Sequence, residues 1–426
     1  METLAVMALE VEQERQGAGK MLVAEENLRA ANRAGESLRV LIAAGGTGGH
    51  IFPALVVAEE LRRRSKGHAS SAGSEAAYEP GGRPGTAVLM DPDPENGSRG
   101  LRQIEFLGTR RGLESRLIPA AGFPLRTVHA AGLKGIGGWQ KLKNLLVLPQ
   151  SALETAQVLR EFQPDVVVGM GGYLAGPAML EAALSDIPTL LVEPNAVPGF
   201  TNRLLAPLVR LAAVGFEEAA PCYGLKARVT GHPVRKGFFE LRPKKHFPPY
   251  TVLVLGGSQG SKAINDCVVK CFDLLSGDAA RWRFIHQTGE RDYDAVAEAY
   301  RARGISAEAS PFIEDMPQAF ARADVVVSRS GAITVAELAA AGKAAVLIPF
   351  PQAADRHQWA NAKVLERTGA ARVIDQGRLT PVRLLSELQD LFSHLEELEE
   401  AERRARALAR PDAAERIADL VEELAR

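Results

Sequence analysis

A repeated unit constrains this chain more than anything else in it: a short unbroken apolar run, a turn of small or polar residues, then a helical stretch. The plainest copy runs from Asp324 to Asn361 (DVVVSRSGAITVAELAAAGKAAVLIPFPQAADRHQWAN). Val325–Ser328 and Ala344–Ile348 read as strands and Thr334–Ala341 as the helix between them, and a polar loop opens a further helix. Unbroken apolar runs suit parallel strands buried on both faces. Open sheets of such strands bind ligands beyond their carboxyl ends. Those ends carry Ser328, Arg329, Ser330 and Gly331 on one side, and Asp355, Arg356, His357 and Gln358 on the other. A Gly-led helix start offers unpaired N–H groups and a positive dipole end to a phosphate. Glu337, in the first turn, is placed to accept from the vicinal hydroxyls of a sugar. Thr334-x-x-Glu337 also spells a capping box, in which the carboxylate serves only an orphan N–H. The polar loop has no use in capping, and the two features together point to a grip on a nucleotide sugar.

The same unit opens each half of the chain. LRVLIAAGGTGGHIFPA, from Leu38, reads as strand, glycine turn and a helix from about Pro53 to Arg64; TVLVLGGSQGSKAIND, from Thr251, repeats it. With 426 residues this sets two α/β domains. Leu241–Pro249, rich in Pro and Lys, reads as the linker between a domain over 38–240 and one over 241–410. The first turn is not G-x-G-x-x-G, and no clear acidic residue follows on a second strand, which argues against dinucleotide binding. His50 ends that turn at a strand carboxyl end, where it either touches substrate or shapes the loop. Asp165–Gly169 runs into GMGGYLAGP and Thr189–Glu193 into EPNAVPGFTN, so successive strand ends mark a cleft.

Other stretches carry less. Lys and Arg number 51 against 52 Asp and Glu, without the basic excess of a general nucleic-acid binder. Cys222, Cys267 and Cys271 show neither metal spacing nor a disulfide framework, consistent with a reducing cytoplasm. No run reaches the roughly 18 apolar residues of a membrane span, and no signal peptide is expected. Residues 1–37 read as an extension. Residues 65–102, rich in Gly, Ser, Pro and Glu, read as a flexible insert, in which Asp91-Pro92-Asp93 is a chance D-x-D with no metal expected. Ile136, Trp139, Leu142, Leu145 and Leu146 alternate with Lys134, Lys141 and Lys143. That pattern fits a contact with an anionic membrane surface, and fits a core-facing helix equally well.

Taken in order, GGTGGH, GMGGY, the Glu-x-Asn of EPNAVPGFTN, GHPVR, GGSQGS, HQTG, FIEDM, SGAITVAE and DRHQ form a set. The set resembles the MurG family, bacterial transferases that add N-acetylglucosamine to lipid I to make lipid II. The match spans residues 38–425 apart from the insert. The resemblance implies two Rossmann-like domains facing a cleft, the glycosyltransferase B fold. It also implies that a helix in 411–426 crosses back onto the first domain. The donor would be UDP-N-acetylglucosamine and the acceptor lipid I, met at the cytoplasmic face of the cell membrane, with no cofactor. Arg235 and Ser258 would contact phosphate and the backbone at Ile313 would read uracil. Ala332, Ile333, Thr334, Val335, Ala336 and Glu337 would hold diphosphate and ribose. Gln358 would hold the sugar hydroxyls, beside His357, where some members carry a second glutamine. Thr47, Gly48, Gly49 and Asn195 would border the transfer site. His50, from its place at the end of the first glycine turn, is the base expected to serve the attacking hydroxyl, directly or through water, with Glu193 as the rival carboxylate. Pro194 stands where other members carry Gln, and residues 1–37 and 65–102 have no counterpart. Two other classes fit the fold: a glycolipid transferase or epimerase acting on a nucleotide sugar, and a non-catalytic nucleotide-sugar binding subunit.

Overall fold

The computed structural model describes residues 37–46, 48–70, 102–110, 112–129, 148–275 and 278–426. Among them the chain lays down two sheets. The first holds β1 (Arg39–Ala43), β2 (Gln103–Gly108), β3 (Leu125–Thr127), β4 (Val166–Gly169), β5 (Thr189–Glu193), β6 (Leu211–Val214) and β7 (Ala227–Val229). Their spatial order is β3-β2-β1-β4-β5-β6-β7. The second holds β8 (Tyr250–Leu255), β9 (Trp282–Gln287), β10 (Ser306–Ser310), β11 (Val325–Ser328), β12 (Ala345–Leu347) and β13 (Ala371–Val373), in the order β10-β9-β8-β11-β12-β13. The pairings are parallel. β4, β5, β8 and β11 are buried along their whole length, which is why they read as unbroken apolar runs.

Each order reverses once, between β1 and β4 and between β8 and β11. At such a switch point neighbouring connections leave in opposite directions and open a crevice beyond the strand ends. The turns singled out in the sequence sit there: Gly45 to Gly49 after β1, Gly171 after β4, Gly256–Ser261 after β8, and Ser330–Gly331 after β11. Thr47 itself lies outside the described residues.

Several boundaries differ from the sequence reading. The first helix is Gly48–Ser70, so Gly48 and Gly49 form its first turn and it runs into the stretch read as an insert. Proline suits a helix start, and that preference misplaced the boundary at Pro53. At the far end of the insert Arg102 is packed, donating to Leu61 O at 2.9 Å and Glu422 Oε1 at 2.8 Å. The rest of the insert, with Asp91-Pro92-Asp93, lies outside the described residues, as do 1–36 and Ile136–Leu146 with their lysines.

The linker is not a loose tether. Lys244 Nζ and His246 Nδ1 meet the buried Asp324 carboxylate at 2.6 and 2.8 Å, and His246 Nε2 meets Glu402 at 3.2 Å. Val234 and Phe238 already lie in the core beneath β8 and β11. The chain therefore enters the second core near Val234, ahead of the 240–241 boundary read from composition. It returns through the helix Ala413–Leu424, which lays Ile417, Ala418, Leu420 and Val421 into the first core with Val40, Ile42, Val166 and Val168. Arg64 on the first helix clamps it, donating to Asp419 at 2.7 Å and Glu422 at 3.0 Å.

Candidate active site

The two sheets point their carboxyl edges at one cavity of about 490 Å³. From the first domain it takes Gly48, Gly49, His50, Phe52, Pro194 and Asn195. From the second it takes Arg235, Ser258, Gln287, Ile313, Gly331 through Thr334, Glu337, His357 and Gln358.

His50 sits in the first turn of Gly48–Ser70 with Nδ1 2.9 Å from Met170 O. A carbonyl only accepts, so Nδ1 carries the proton and Nε2 keeps its lone pair. Burial holds the imidazole below its ordinary 6.5; the Met170 carbonyl opposes this and neighbouring His357 adds to it. Gly171 and Gly172, at φ +84° and +82°, bring the backbone against the ring. A Cβ on Gly171 would lie 3.2 Å from His50 Cε1, and one on Gly172 3.4 Å from Cδ2, so a side chain there would crowd the imidazole.

Asn195 rides on a loop shaped from below. Glu193, only 1% exposed at the end of β5, accepts from Asn195 N (2.8 Å), Asn195 Nδ2 (3.2 Å), Gly199 N (3.1 Å) and Asn202 Nδ2 (2.8 Å). Burial raises the Glu193 carboxyl, against the pull of these donors. His232 Nε2 donates to Pro194 O from the other side, and burial lowers that imidazole to about 4. Glu193 and His232 thus fix the loop and leave the cleft to Asn195.

On the facing side the helix Ala332–Ala341 begins after Gly331 with no side-chain cap. Val335 N bonds Gly331 O at 3.0 Å, which leaves the N–H groups of Ala332, Ile333 and Thr334 at the helix start. The capping-box reading is therefore overturned: Glu337 Oε1 accepts from Arg235 Nη2 at 3.2 Å instead. Burial pushes the Glu337 carboxyl up to about 7, with Arg235 pulling the other way. Arg235 Nε is buried with no partner, as expected of a donor awaiting an anion. The guanidinium lies 4.8 Å over the Phe52 ring from the opposite domain.

The remaining sequence candidates divide. Ser258 is exposed at the tip of the second glycine turn. That turn is locked by Gly260, φ +76°, where a Cβ would fall 1.9 Å from Thr288 O. Ile313 lines the cavity, but its N–H already donates to Gln287 Oε1 at 2.9 Å, while Gln287 Nε2 donates to Gly257 O at 2.9 Å. A base read by that amide must displace Gln287. His357 Nδ1 donates to Ala354 O at 2.6 Å, and Gln358 Oε1 accepts from Phe350 N at 2.9 Å. Val335 and Ala336 turn away and line a second cavity of about 290 Å³ behind the helix. Arg329 is engaged at 3.0 Å with Ile348 O, 2.7 Å with Ser261 Oγ and 2.6 Å with Gln376 Oε1, so it ties strand ends together. Phe52 and Gln287 were missed. Nothing local marks them, because each acquires a role only from a partner in another element.

A buried carboxylate, an arginine and an open helix start face a histidine across two parallel α/β domains, and the chain's similarity to known proteins makes it a nucleotide-sugar glycosyltransferase of the B fold. The sequence matches the glycosyltransferase family 28 N-terminal domain over residues 99–214 and the C-terminal domain over 251–417. The chain belongs to glycosyltransferase family 28 and, within it, to the MurG family. A Myxococcus xanthus (strain DK1622) protein is 39% identical over 390 residues, covering 91% of this chain and 93% of the relative. One from Anaeromyxobacter sp. (strain Fw109-5) is 41% identical over 392 residues, covering 91% and 94%. Both are named UDP-N-acetylglucosamine--N-acetylmuramyl-(pentapeptide) pyrophosphoryl-undecaprenol N-acetylglucosamine transferase. The crystal structure of Acinetobacter baumannii MurG superposes with a TM-score of 0.65 at 30% identity, covering 91% of this chain and 100% of that one. A UDP-GlcNAc 2-epimerase from Neisseria meningitidis, at 13% identity and TM-score 0.58, shares the fold alone.

Proposed function

We infer that this chain transfers N-acetylglucosamine from UDP-N-acetylglucosamine to the 4-hydroxyl of the MurNAc of lipid I, with inversion, giving lipid II. The observation that carries the reading is the placement of His50 across one cavity from the Gly331–Thr334 helix start, Arg235 and Glu337. The acceptor oxygen attacks the anomeric carbon, the bond from that carbon to the diphosphate breaks, and His50 Nε2 takes the hydroxyl proton. The first-turn N–H groups and Arg235 stabilise the departing UDP, and help the chemical step insofar as they bind it more strongly as its charge develops. Glu337 accepts from the ribose hydroxyls and Gln358 holds the transferred sugar, while Gly48, Gly49 and Asn195 border the acceptor. Incubation with labelled donor and lipid I tests this: lipid II should appear. Transfer to diacylglycerol with none to lipid I, or conversion of the donor to its epimer, would favour the other enzyme classes on this fold. Tight UDP binding without turnover would favour a binding subunit.

The chain acts on its lipid substrate as a peripheral protein at the cytoplasmic face of an anionic membrane. The alternation of apolar and basic residues over 134–146 supports this, as do the exposed Leu153, Leu180 and Leu184, 70%, 43% and 73% accessible. These three lie on the helices Leu148–Phe162 and Gly172–Leu184, which pack together. No helix among the described residues is long and apolar enough to cross a membrane. Leu153→Glu combined with Leu184→Glu should weaken binding to anionic vesicles while a soluble short-chain acceptor still reacts. Equal vesicle binding by the two proteins would sink the membrane reading.

A further inference from the structure

Glu114 opens the helix Glu114–Ala120 that follows β2, and it is completely buried. Its carboxylate is given to neutral donors: Oε1 accepts from Thr109 Oγ1 at 2.6 Å and Oε2 from Gly46 N at 3.3 Å. Taking a carboxylate out of water costs free energy that neutral donors recover only in part. An apolar side chain would pack there at lower cost, so the service of this carboxylate is to the turn it holds. Glycines make the room for it. A Cβ on Gly112, at φ +145°, would fall 2.4 Å from Oε2, one on Gly108 3.2 Å from Cγ, and one on Gly45 3.2 Å from Oε1. The turn after β1, the end of β2 and the loop before the helix thus all stay bare around one side chain.

Gly45 and Gly46 lead into the helix Gly48–Ser70, whose first turn carries Gly48, Gly49 and His50. Glycines have no side chains of their own to restrict φ and ψ, so their surroundings must do it. Gly46 is held at φ +95° with its N–H on Glu114. At Gly45 a Cβ would meet Glu114 Oε1 at 3.2 Å and Leu174 Cδ2 at 3.3 Å. Gly45 O in turn lies 3.3 Å from a Cβ built on Gly172, the same position that stands 3.4 Å from His50 Cδ2. The first glycine turn is therefore clamped between Glu114 and the second glycine turn. That second turn follows Met170, whose carbonyl orients the His50 ring.

We propose that Glu114 is a positioning residue that sets the first glycine turn from beneath, and with it Gly48, Gly49 and the ring of His50. Its carboxylate is shielded from the cavity and touches no reacting atom, so it acts on transfer through the turn alone. Arg235, Glu337 and the Gly331–Thr334 helix start line the cavity from the other domain. The effect of Glu114 accordingly falls on the acceptor and the chemical step, and not on UDP. The proposal deepens the transfer reading above and rests on it for its kinetic readout only.

The test compares wild type with Glu114→Ala and Glu114→Gln in three measurements. These are transfer to a soluble short-chain analogue of lipid I, UDP affinity by calorimetry, and the NMR signals of the His50 ring, assigned by their loss in His50→Ala. Glu114→Ala strips Gly46 N of its acceptor and should lower kcat/KM for the acceptor by about tenfold to a hundredfold, with UDP affinity within about threefold. The His50 ring signals should move with it. Glu114→Gln keeps an oxygen for Gly46 N and should recover most of the loss. Gly112→Ala drives a Cβ against Oε2 and should reproduce the Glu114→Ala losses with the carboxylate still present; it carries the comparison if Glu114→Ala does not fold. Unchanged acceptor kinetics and His50 signals in the folded variants would overturn the proposal and leave the carboxylate to stability alone. A loss confined to UDP affinity would overturn it as well. If wild type binds UDP but does not use lipid I, the transfer reading fails, while the His50 signals still decide whether Glu114 sets the turn.

Discussion

Arg235 Nη2 lies 3.2 Å from Glu337 Oε1, an ion pair between residues 102 positions apart that spans the start of the Ala332–Ala341 helix. Phe52 of the opposite domain covers the guanidinium. Arg235 is thereby held with Nε unpartnered, and Glu337 is held in burial that favours its neutral form.

The first prediction follows from that pair. Ribose hydroxyls donate best to the ionised carboxylate, so binding favours the form that burial disfavours. With the Glu337 carboxyl at about 7 in the free protein, UDP affinity should rise as pH climbs from 6 to 8. Glu337→Gln should weaken UDP binding at pH 8 and flatten that rise, with little change in melting temperature. Calorimetry across this range decides it; a mutant with wild-type affinity at pH 8 would remove Glu337 from the ribose.

His50→Ala should lower kcat by about 10²–10⁴-fold, the usual contribution of a general base, and leave UDP affinity nearly unchanged. The imidazole is held below 6.5, so it is neutral and competent over most of the physiological range. The acid limb of the wild-type kcat profile should fall below that value and vanish in the mutant. A drop of less than about tenfold would leave His50 as a residue that merely shapes its turn.

Gln287 bridges Gly257 O and Ile313 N at the place where a base is expected. Gln287→Leu removes a competitor for the Ile313 amide and leaves that amide unpaired until nucleotide arrives. The mutant should melt lower than wild type without ligand and gain more from saturating UDP. An equal or smaller gain in thermal-shift measurements would show that the base does not use the Ile313 amide.

His246 lies between Asp324 and Glu402, with Lys244 on Asp324 and Lys343 on Glu402. Burial alone would lower its pKa, but the two carboxylates outweigh burial and raise it to about 9. A folded value above the unfolded 6.5 means the contribution is fully present below that pH and is lost as pH rises through about 9. Urea midpoints should therefore fall between pH 7 and pH 9.5, by an amount on the order of a few kcal/mol in unfolding free energy. His246→Gln should flatten that slope, and an unaltered slope would assign it to other groups.

The two-sheet architecture, the switch-point turns and most cavity-lining residues were legible from the chain. Val325–Ser328 or Gly45–His50 declares itself locally: a strand buried on both faces must be apolar throughout, and a close backbone turn calls for glycine. The motif set around those turns carried the family, and with it the roles expected of residues such as Gln358. Local reading failed wherever two outcomes share one sequence pattern. Thr334-x-x-Glu337 is written identically whether Glu337 caps its own helix or meets Arg235. Only the packing of Val234 and Phe238 into the second core, which carries Arg235 to the helix start, decided between them. Arg329, at a strand carboxyl end, likewise looked free to meet a ligand until Ile348 O, Ser261 and Gln376 supplied partners for it. Glu114 offered no sign at all of its place, since its partner Gly46 stands 68 residues away. Burial periodicity and turn chemistry are properties of neighbouring residues, so the sequence determined them alone. Which polar group satisfies which is settled by hydrogen-bond geometry between distant segments, and only the assembled domains fixed it.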